Sequence, residues 1–254
     1  MSGTREENLF MAFLAEQAGR YEDMVEYMKR VATMGPELNC DERNSFSSAF
    51  KTSVGARRQA WRVVANVVET KAQQGDEIAV QVLRSYLHKL ELELRQKCDE
   101  VLDILSKHLV VNANDKEAKV FYLKMKGDYH RYQAEFTTGG AKVTCLTDAE
   151  TAYQQATELA NEHLPVTSHL RLGLALNFSV HYYEGLNDPE KACSLAKAAY
   201  DGAMPHMNEV DPAAVDDTAM MLKLIQDNLT LWTSAPREDG SKPPEQDGTE
   251  IEDM

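Results

Sequence analysis

The sequence predicts an all-α protein of about nine antiparallel helices in one domain. Three observations carry that expectation. Apolar residues recur at the helical period along almost the whole chain, and strict alternation of β-branched residues is absent. Only 13 glycines and 8 prolines occur, and the prolines avoid the long periodic stretches. The breaks between periodic stretches are short and polar, which favours antiparallel neighbours.

The helices are expected near residues 4–18, 21–34, 40–73, 77–110, 116–136, 145–163, 167–185, 188–203 and 212–234. Gly35-Pro36 should stop the second, and Asn39 or Asp41 can cap the third. Gln74-Gly75-Asp76 separates the third from the fourth, and Asn112 to Asp115 separates the fourth from the fifth. Thr137-Thr138-Gly139-Gly140 reads as a flexible loop. At Asn187-Asp188-Pro189-Glu190, Asp188 is the expected cap and Pro189 stands in the first turn. Tetratricopeptide-like repeats are disfavoured, because the third and fourth helices are too long and no self-similarity at that period is found.

Composition bounds the function. The chain has 254 residues, 43% of them hydrophobic, enough for a large core in one domain or for two modest domains. Its net charge of −14 repels nucleic-acid phosphates and anionic membranes, so any anion site must be a local basic cluster. Cys40, Cys98, Cys145 and Cys193 form no CxxC pair and are expected as reduced thiols. The start, MSGTREENLF, lacks an apolar signal core, and no apolar run is long enough to span a membrane. A cytoplasmic protein without membrane insertion is expected. The segment 235–254 holds seven acids, two bases and three prolines and reads as a disordered acidic tail, leaving 1–234 as the helical domain.

One constellation carries chemistry. On the third helix Lys51 and Arg58 lie two turns apart on one face, with Arg62 a turn further. Alone, such a basic stripe is usually a solvated face. On the fifth helix Lys124, Asp128, Arg131 and Tyr132 form a second stripe, which read by itself is an ordinary salt-bridge ladder. If the stripes face each other, a lysine, two arginines and a tyrosine hydroxyl converge. Arginine forks match phosphate oxygens, and a phosphate monoester carries close to two charges. Asp128 could orient the arginines. Leu176, Val180 and Glu184 share a face of the seventh helix with Asn177 beside it; Leu224, Asn228, Leu231 and Trp232 share one on the ninth. Most of these leucines are core by pattern, but an amide on an apolar stripe must find partners and can grip a peptide backbone.

These residues lie in segments that resemble the 14-3-3 family from Asn8 to Ser234. The resemblance rests most on RNSFSSAFKTSVGARRQAWRVV at 43–64 and QDNLTLWTS at 226–234. The stretches LAEQAGRYEDMV at 14–25, KVFYLKMKGDYHRY at 119–132 and RLGLALNFSVHYYE at 171–184 add to it. The family implies an all-α fold with an amphipathic groove for an extended phosphoserine or phosphothreonine peptide, in a W-shaped dimer. By resemblance, Lys51, Arg58, Arg131 and Tyr132 bind phosphate, and Asn177 and Asn228 hold the peptide main chain. Leu176, Val180, Met221, Leu224 and Leu231 form an apolar wall; Lys124, Glu184 and Trp232 make auxiliary contacts. Leu14, Ala18, Arg20 and Asp23 meet Ala60, Val63, Val67, Tyr86, Lys89 and Glu93 across the dimer. Met221 replaces a usual isoleucine, and Ala60 stands where several members carry a phosphorylatable serine, which removes that switch. Gly19, His181 and the segment 202–212 also depart from the family pattern.

The implied function is a non-enzymatic adaptor that binds phosphorylated client proteins and regulates their activity, localisation or assembly, as a homodimer or with a paralogue. No cofactor, metal or nucleic acid is implied. No GxSxG, HExxH or phosphate-loop motif occurs, and His130 and His181 read as partly buried structural residues. The alternative is a helical scaffold for unphosphorylated segments, which has no need of converging arginines and a tyrosine.

Overall fold

Several helices start where a side chain replaces a missing backbone partner. In the computed structural model, which describes residues 3–234, α1 (Arg5–Gln17) opens on a reciprocal cap between Thr4 and Glu7. After α2 (Tyr21–Thr33), Gly35 adopts a φ of 101°, a conformation glycine adopts without penalty, and the chain turns. Asn39, rather than Asp41, caps α3 (Cys40–Gln73), in a second reciprocal box with Glu42. Glu42 also accepts from Arg5 Nε at 3.0 Å and Nη2 at 2.6 Å, so one carboxylate ties the first helix to the start of the third.

Asp76 caps α4 (Glu77–Ile104), which continues through a π turn at Leu105–Leu109 and ends at Val110–Asn112. Asp115 caps α5 (Lys116–Phe136). The next helix, α6 (Gly139–His163), begins well before the expected residue 145. Gly139 itself makes the turn at φ 60°, so the expected four-residue loop shrinks and Gly140 is already helical. Ser168 caps α7 (His169–Val180), which runs into a second π turn at His181–Gly185. Asp188 caps α8 (Pro189–Ala203) with Pro189 in the first turn. Pro205 lies in a 3-10 turn, Met204–Glu209, that follows α8. A turn at Asp211, whose backbone carbonyl accepts from Ala214, delays α9 (Val215–Ser234) by three residues from the expected 212. The described residues thus hold nine helices and no strand. The acidic segment 235–254 lies outside them.

The chain divides into two compact units, separating within α6 between Cys145 and Leu146. The first unit packs Met24, Met28, Phe46, Phe50, Leu94, Leu105 and Tyr122 into one core. The second packs Leu172, Leu176, Ala192, Ala196, Met221, Ile225 and Trp232. Alanines on α8 let that helix approach its neighbours closely. No described helix is long and apolar enough to cross a membrane.

A polar node joins three helices of the first unit. The Glu22 carboxylate of α2 accepts from Ser53 Oγ and Arg57 Nη1 of α3, each at 2.6 Å, and pairs with Lys97 of α4 at 3.0 Å. Burial pushes its pKa up, but Arg57, Ser53 and Lys97 outweigh burial and hold it at about 2. A depressed carboxylate contributes stability above its unfolded pKa and loses it as pH falls through the folded one. Glu22→Gln should therefore destabilise the protein at pH 7 by about 0.5–1 kcal/mol, given the node's partial exposure. In chemical denaturation, the difference from the parent should shrink steadily below the ordinary glutamate range and vanish near pH 2.

Candidate functional site

Arg58 belongs to a helix face that the fold buries. It is 6% exposed, and its guanidinium carbon lies 3.8 Å from the centre of the Tyr132 ring on α5. Arg131 lies 4.9 Å from the same ring. Arg58 of α3 and Arg131 of α5 therefore converge on Tyr132. A guanidinium stacked on an aromatic face keeps its in-plane N–H groups for planar anions.

The anion in that plane is Glu135, one turn after Arg131. Arg58 Nε and Nη2 donate to its two oxygens at 3.1 and 2.5 Å, and Arg62 Nη2 donates at 3.3 Å. Burial raises the Glu135 pKa, but Arg58, then Arg62 and Arg131, outweigh burial and hold it below the usual range. Three guanidiniums thus act on one carboxylate. Lys124 is buried and pairs with Asp128 at 3.0 Å. Lys51 is half-buried, two turns before Arg58.

Glu135 has no role in the sequence reading. Its one signal is the i,i+4 spacing from Arg131, which is common to many surface pairs. Its real partners, Arg58 and Arg62, come from a helix more than seventy residues earlier. Cys98 lies close enough for the Arg58 charge to act on it. Burial nevertheless pushes its thiol to about 12, so it stays a protonated core group.

The second unit carries the amides and much of the expected wall. Asn177 and Asn228 are both buried. The Asn228 amide makes no side-chain hydrogen bond among the described residues. Leu176 and Met221 are core residues, Val180 and Leu224 are half-buried, and Leu231 is 44% exposed. Accessible apolar surface thus comes from the last three. Glu184 is exposed in the π turn, and Trp232 stacks on Tyr183 with ring centres 4.7 Å apart. His181 is fully buried among Tyr153, Phe178 and Tyr182, deeper than its sequence position implied, while His130 is half-buried.

The expected dimer residues lie on the first unit. Leu14, Ala18, Val63, Val67, Tyr86 and Lys89 are exposed, and Ala60 and Glu93 are half-buried. Arg20 pairs with Asp23, and Lys89 with Glu93. The sequence reading missed Phe10, Phe13, Ile78, Val82 and Leu92, all exposed large apolar side chains. Large apolar residues off the core-facing stripe of α1 and α4 were the available signal. Among the described residues no group of three or more metal-ligating side chains forms.

Rigid helices that present charge, amides and apolar surface define a helical adaptor. Comparison with known proteins gives the family: the model described as 14-3-3 protein matches residues 11–233, and the chain belongs to the 14-3-3 family. It is 47% identical over 243 residues to protein BMH2 of Saccharomyces cerevisiae, covering 95% of this chain and 89% of that one. It is also 47% identical over 230 residues to 14-3-3 protein epsilon of Drosophila melanogaster, covering 91% and 88%. A 14-3-3-like protein of Pisum sativum matches at 47% over 239 residues, covering 93% and 92%. Members of this family are adaptors rather than enzymes; they bind partner proteins and form dimers.

Removing Glu135 leaves the Arg58 guanidinium buried without its fork partner. Glu135→Ala should destabilise the first unit by about 3 kcal/mol, the low end for breaking a buried pair. Because the Glu135 pKa is depressed, the pair's contribution is full above the unfolded glutamate pKa and is lost as pH falls through the folded one. Denaturation curves of parent and variant at pH 7 and at acid pH should converge on acidification.

Proposed function

We propose that this chain is a cytoplasmic adaptor that binds client proteins through phosphorylated serine or threonine in extended segments. Lys51, Arg58, Arg131 and Tyr132 take the phosphate. The observation that carries this reading is the approach of two guanidiniums, Arg58 and Arg131, to the Tyr132 ring, with Arg58 forked onto Glu135. A phosphate dianion brings two negative charges and competes with Glu135 for the arginine forks. An unphosphorylated hydroxyl does neither, so it gains nothing from the cluster. This also weighs against a scaffold for unphosphorylated segments, where a buried arginine stacked on tyrosine has no task.

The same reading gives Asn177 and Asn228 the peptide main chain. The Asn228 amide, buried and without a side-chain bond among the described residues, is suited to a backbone N–H or carbonyl. Leu176, Val180, Met221, Leu224 and Leu231 supply apolar contact, and Lys124, Glu184 and Trp232 add side contacts. Binding a client in this way regulates its activity, localisation or assembly.

Dimerisation, with a second copy or a paralogue, is the second part of the proposal. Phe10, Leu14, Val63, Ile78, Val82 and Tyr86 are large apolar side chains that stand exposed on the first unit, surface that a partner subunit would cover. Two sites in one assembly raise the effective concentration for a doubly phosphorylated client.

Fluorescence anisotropy with a serine peptide in phosphorylated and unphosphorylated forms tests the first part. Each charge-assisted hydrogen bond contributes about 1.5–3 kcal/mol, so Arg58→Ala should weaken phosphopeptide binding by about 100-fold or more. Lys51→Glu should do the same by charge reversal, with the helical circular-dichroism signal retained in both. Equal affinity for the two peptides would refute the reading. For the second part, light scattering on Tyr86→Arg and Leu14→Glu should give a monomer mass where the parent gives a dimer.

A further inference from the structure

A cavity of about 210 Å³ lies within the second unit, bounded by α6, α7 and α8. Small residues open it: Ala199 and Gly202 sit on its α8 wall, and a methyl built on Gly202 meets nothing within 4 Å. Leu174 and Leu195 line it with hydrocarbon.

The unusual member of the lining is Arg171. Its Nη1 donates to the Leu164 carbonyl at 2.7 Å. No ion pair involves it among the described residues, although this chain is rich in carboxylates. Desolvation lowers its pKa, and no acidic neighbour offsets that. Asn161, exposed on the cavity rim, makes no side-chain hydrogen bond among the described residues.

One N–H of Arg171 therefore donates to the carbonyl just past the end of α6, and Arg171, which pairs with no carboxylate among the described residues, lines a hollow walled largely by hydrocarbon. The complement of such a site is one negative charge on a planar group, attached to a short apolar body. A phosphate dianion would exceed the single cation and leave the hydrocarbon wall uncovered. A long acyl chain would exceed the volume. We propose that this cavity binds a small aliphatic monocarboxylate, with Arg171 taking the carboxylate, Asn161 donating to it at the rim, and Leu174 and Leu195 covering the chain. The site is independent of the arginine cluster on the first unit.

The test titrates the full chain with hexanoate, hexanol and inorganic phosphate, read by methyl NMR of Leu174 and Leu195. Hexanoate should shift these methyls and bind at least about ten-fold tighter than hexanol, the difference expected of one charge-assisted pair. Phosphate should leave them unmoved. Arg171→Gln should abolish the preference for hexanoate over hexanol. Gly202→Leu, which fills the hollow and leaves Arg171 and its bond to Leu164 in place, should abolish both, and it keeps the test decisive if the first variant folds poorly. Unmoved methyls with hexanoate would overturn the proposal. So would equal binding by parent and Gly202→Leu, or an equal response to phosphate.

Discussion

A guanidinium cannot shed its charge, so a buried arginine dictates what surrounds it. Arg58 is such a residue, and its surroundings organise the first unit. The Glu135 fork satisfies two of its N–H groups, and the Tyr132 face covers the cation from one side. Both partners come from α5, so the pair locks α3 to α5 at a fixed rotation. Arg131 and Arg62 then enter the same electrostatic neighbourhood and act on the same carboxylate. A surface arginine at this position would be screened by water and ions; burial is what gives the cluster strength.

The positions of these groups depend on apolar packing further along the same helices. Phe46, Phe50 and Val54 anchor the first half of α3 in the core, and Tyr122, Met125 and Tyr129 anchor α5. Reciprocal caps fix where α1 and α3 begin, and Asp115 fixes α5, so the basic stripe does not slide in register. The Glu22 node adds a polar tie among α2, α3 and α4 on a different part of the unit. Rigid elements of this kind hold charged side chains more tightly than loops do. The second unit follows the same logic with different materials: alanines on α8 permit close helix packing, and the amide of Asn228 sits beside hydrocarbon.

Much of the architecture was legible in the sequence because it is written locally. Caps at Asn39, Asp76, Asp115 and Asp188 precede their helices by one residue, and the apolar period does not fade between them. Gly139-Gly140 was misleading, since paired glycines ordinarily mark a loop. Here the first makes a left-handed turn and the second is already helical. The π turns at Leu105–Leu109 and His181–Gly185 carry no local pattern, because one widened turn barely changes the periodicity. Within the candidate site, Lys51 with Arg58 and Arg131 with Tyr132 could be read from spacing on single helices. Glu135 could not. Its selection by Arg58 and Arg62 is a tertiary event, and the local pairing with Arg131 looks like any solvated pair. Family resemblance supplied the proposed roles of Asn177 and Asn228, which periodicity alone leaves among core positions.

Phosphorus NMR reads most directly whether the cluster around Tyr132 contacts a client's phosphate, as proposed. A free phosphoserine titrates between its monoanion and dianion near pH 6, roughly. Held by Arg58, Arg131 and Lys51, the dianion is favoured, so the bound peptide's phosphorus resonance should titrate at a clearly lower pH than the free peptide's. That downward shift is the expected result; a bound peptide that titrates at the same pH as the free one would contradict direct contact between the cluster and the phosphate.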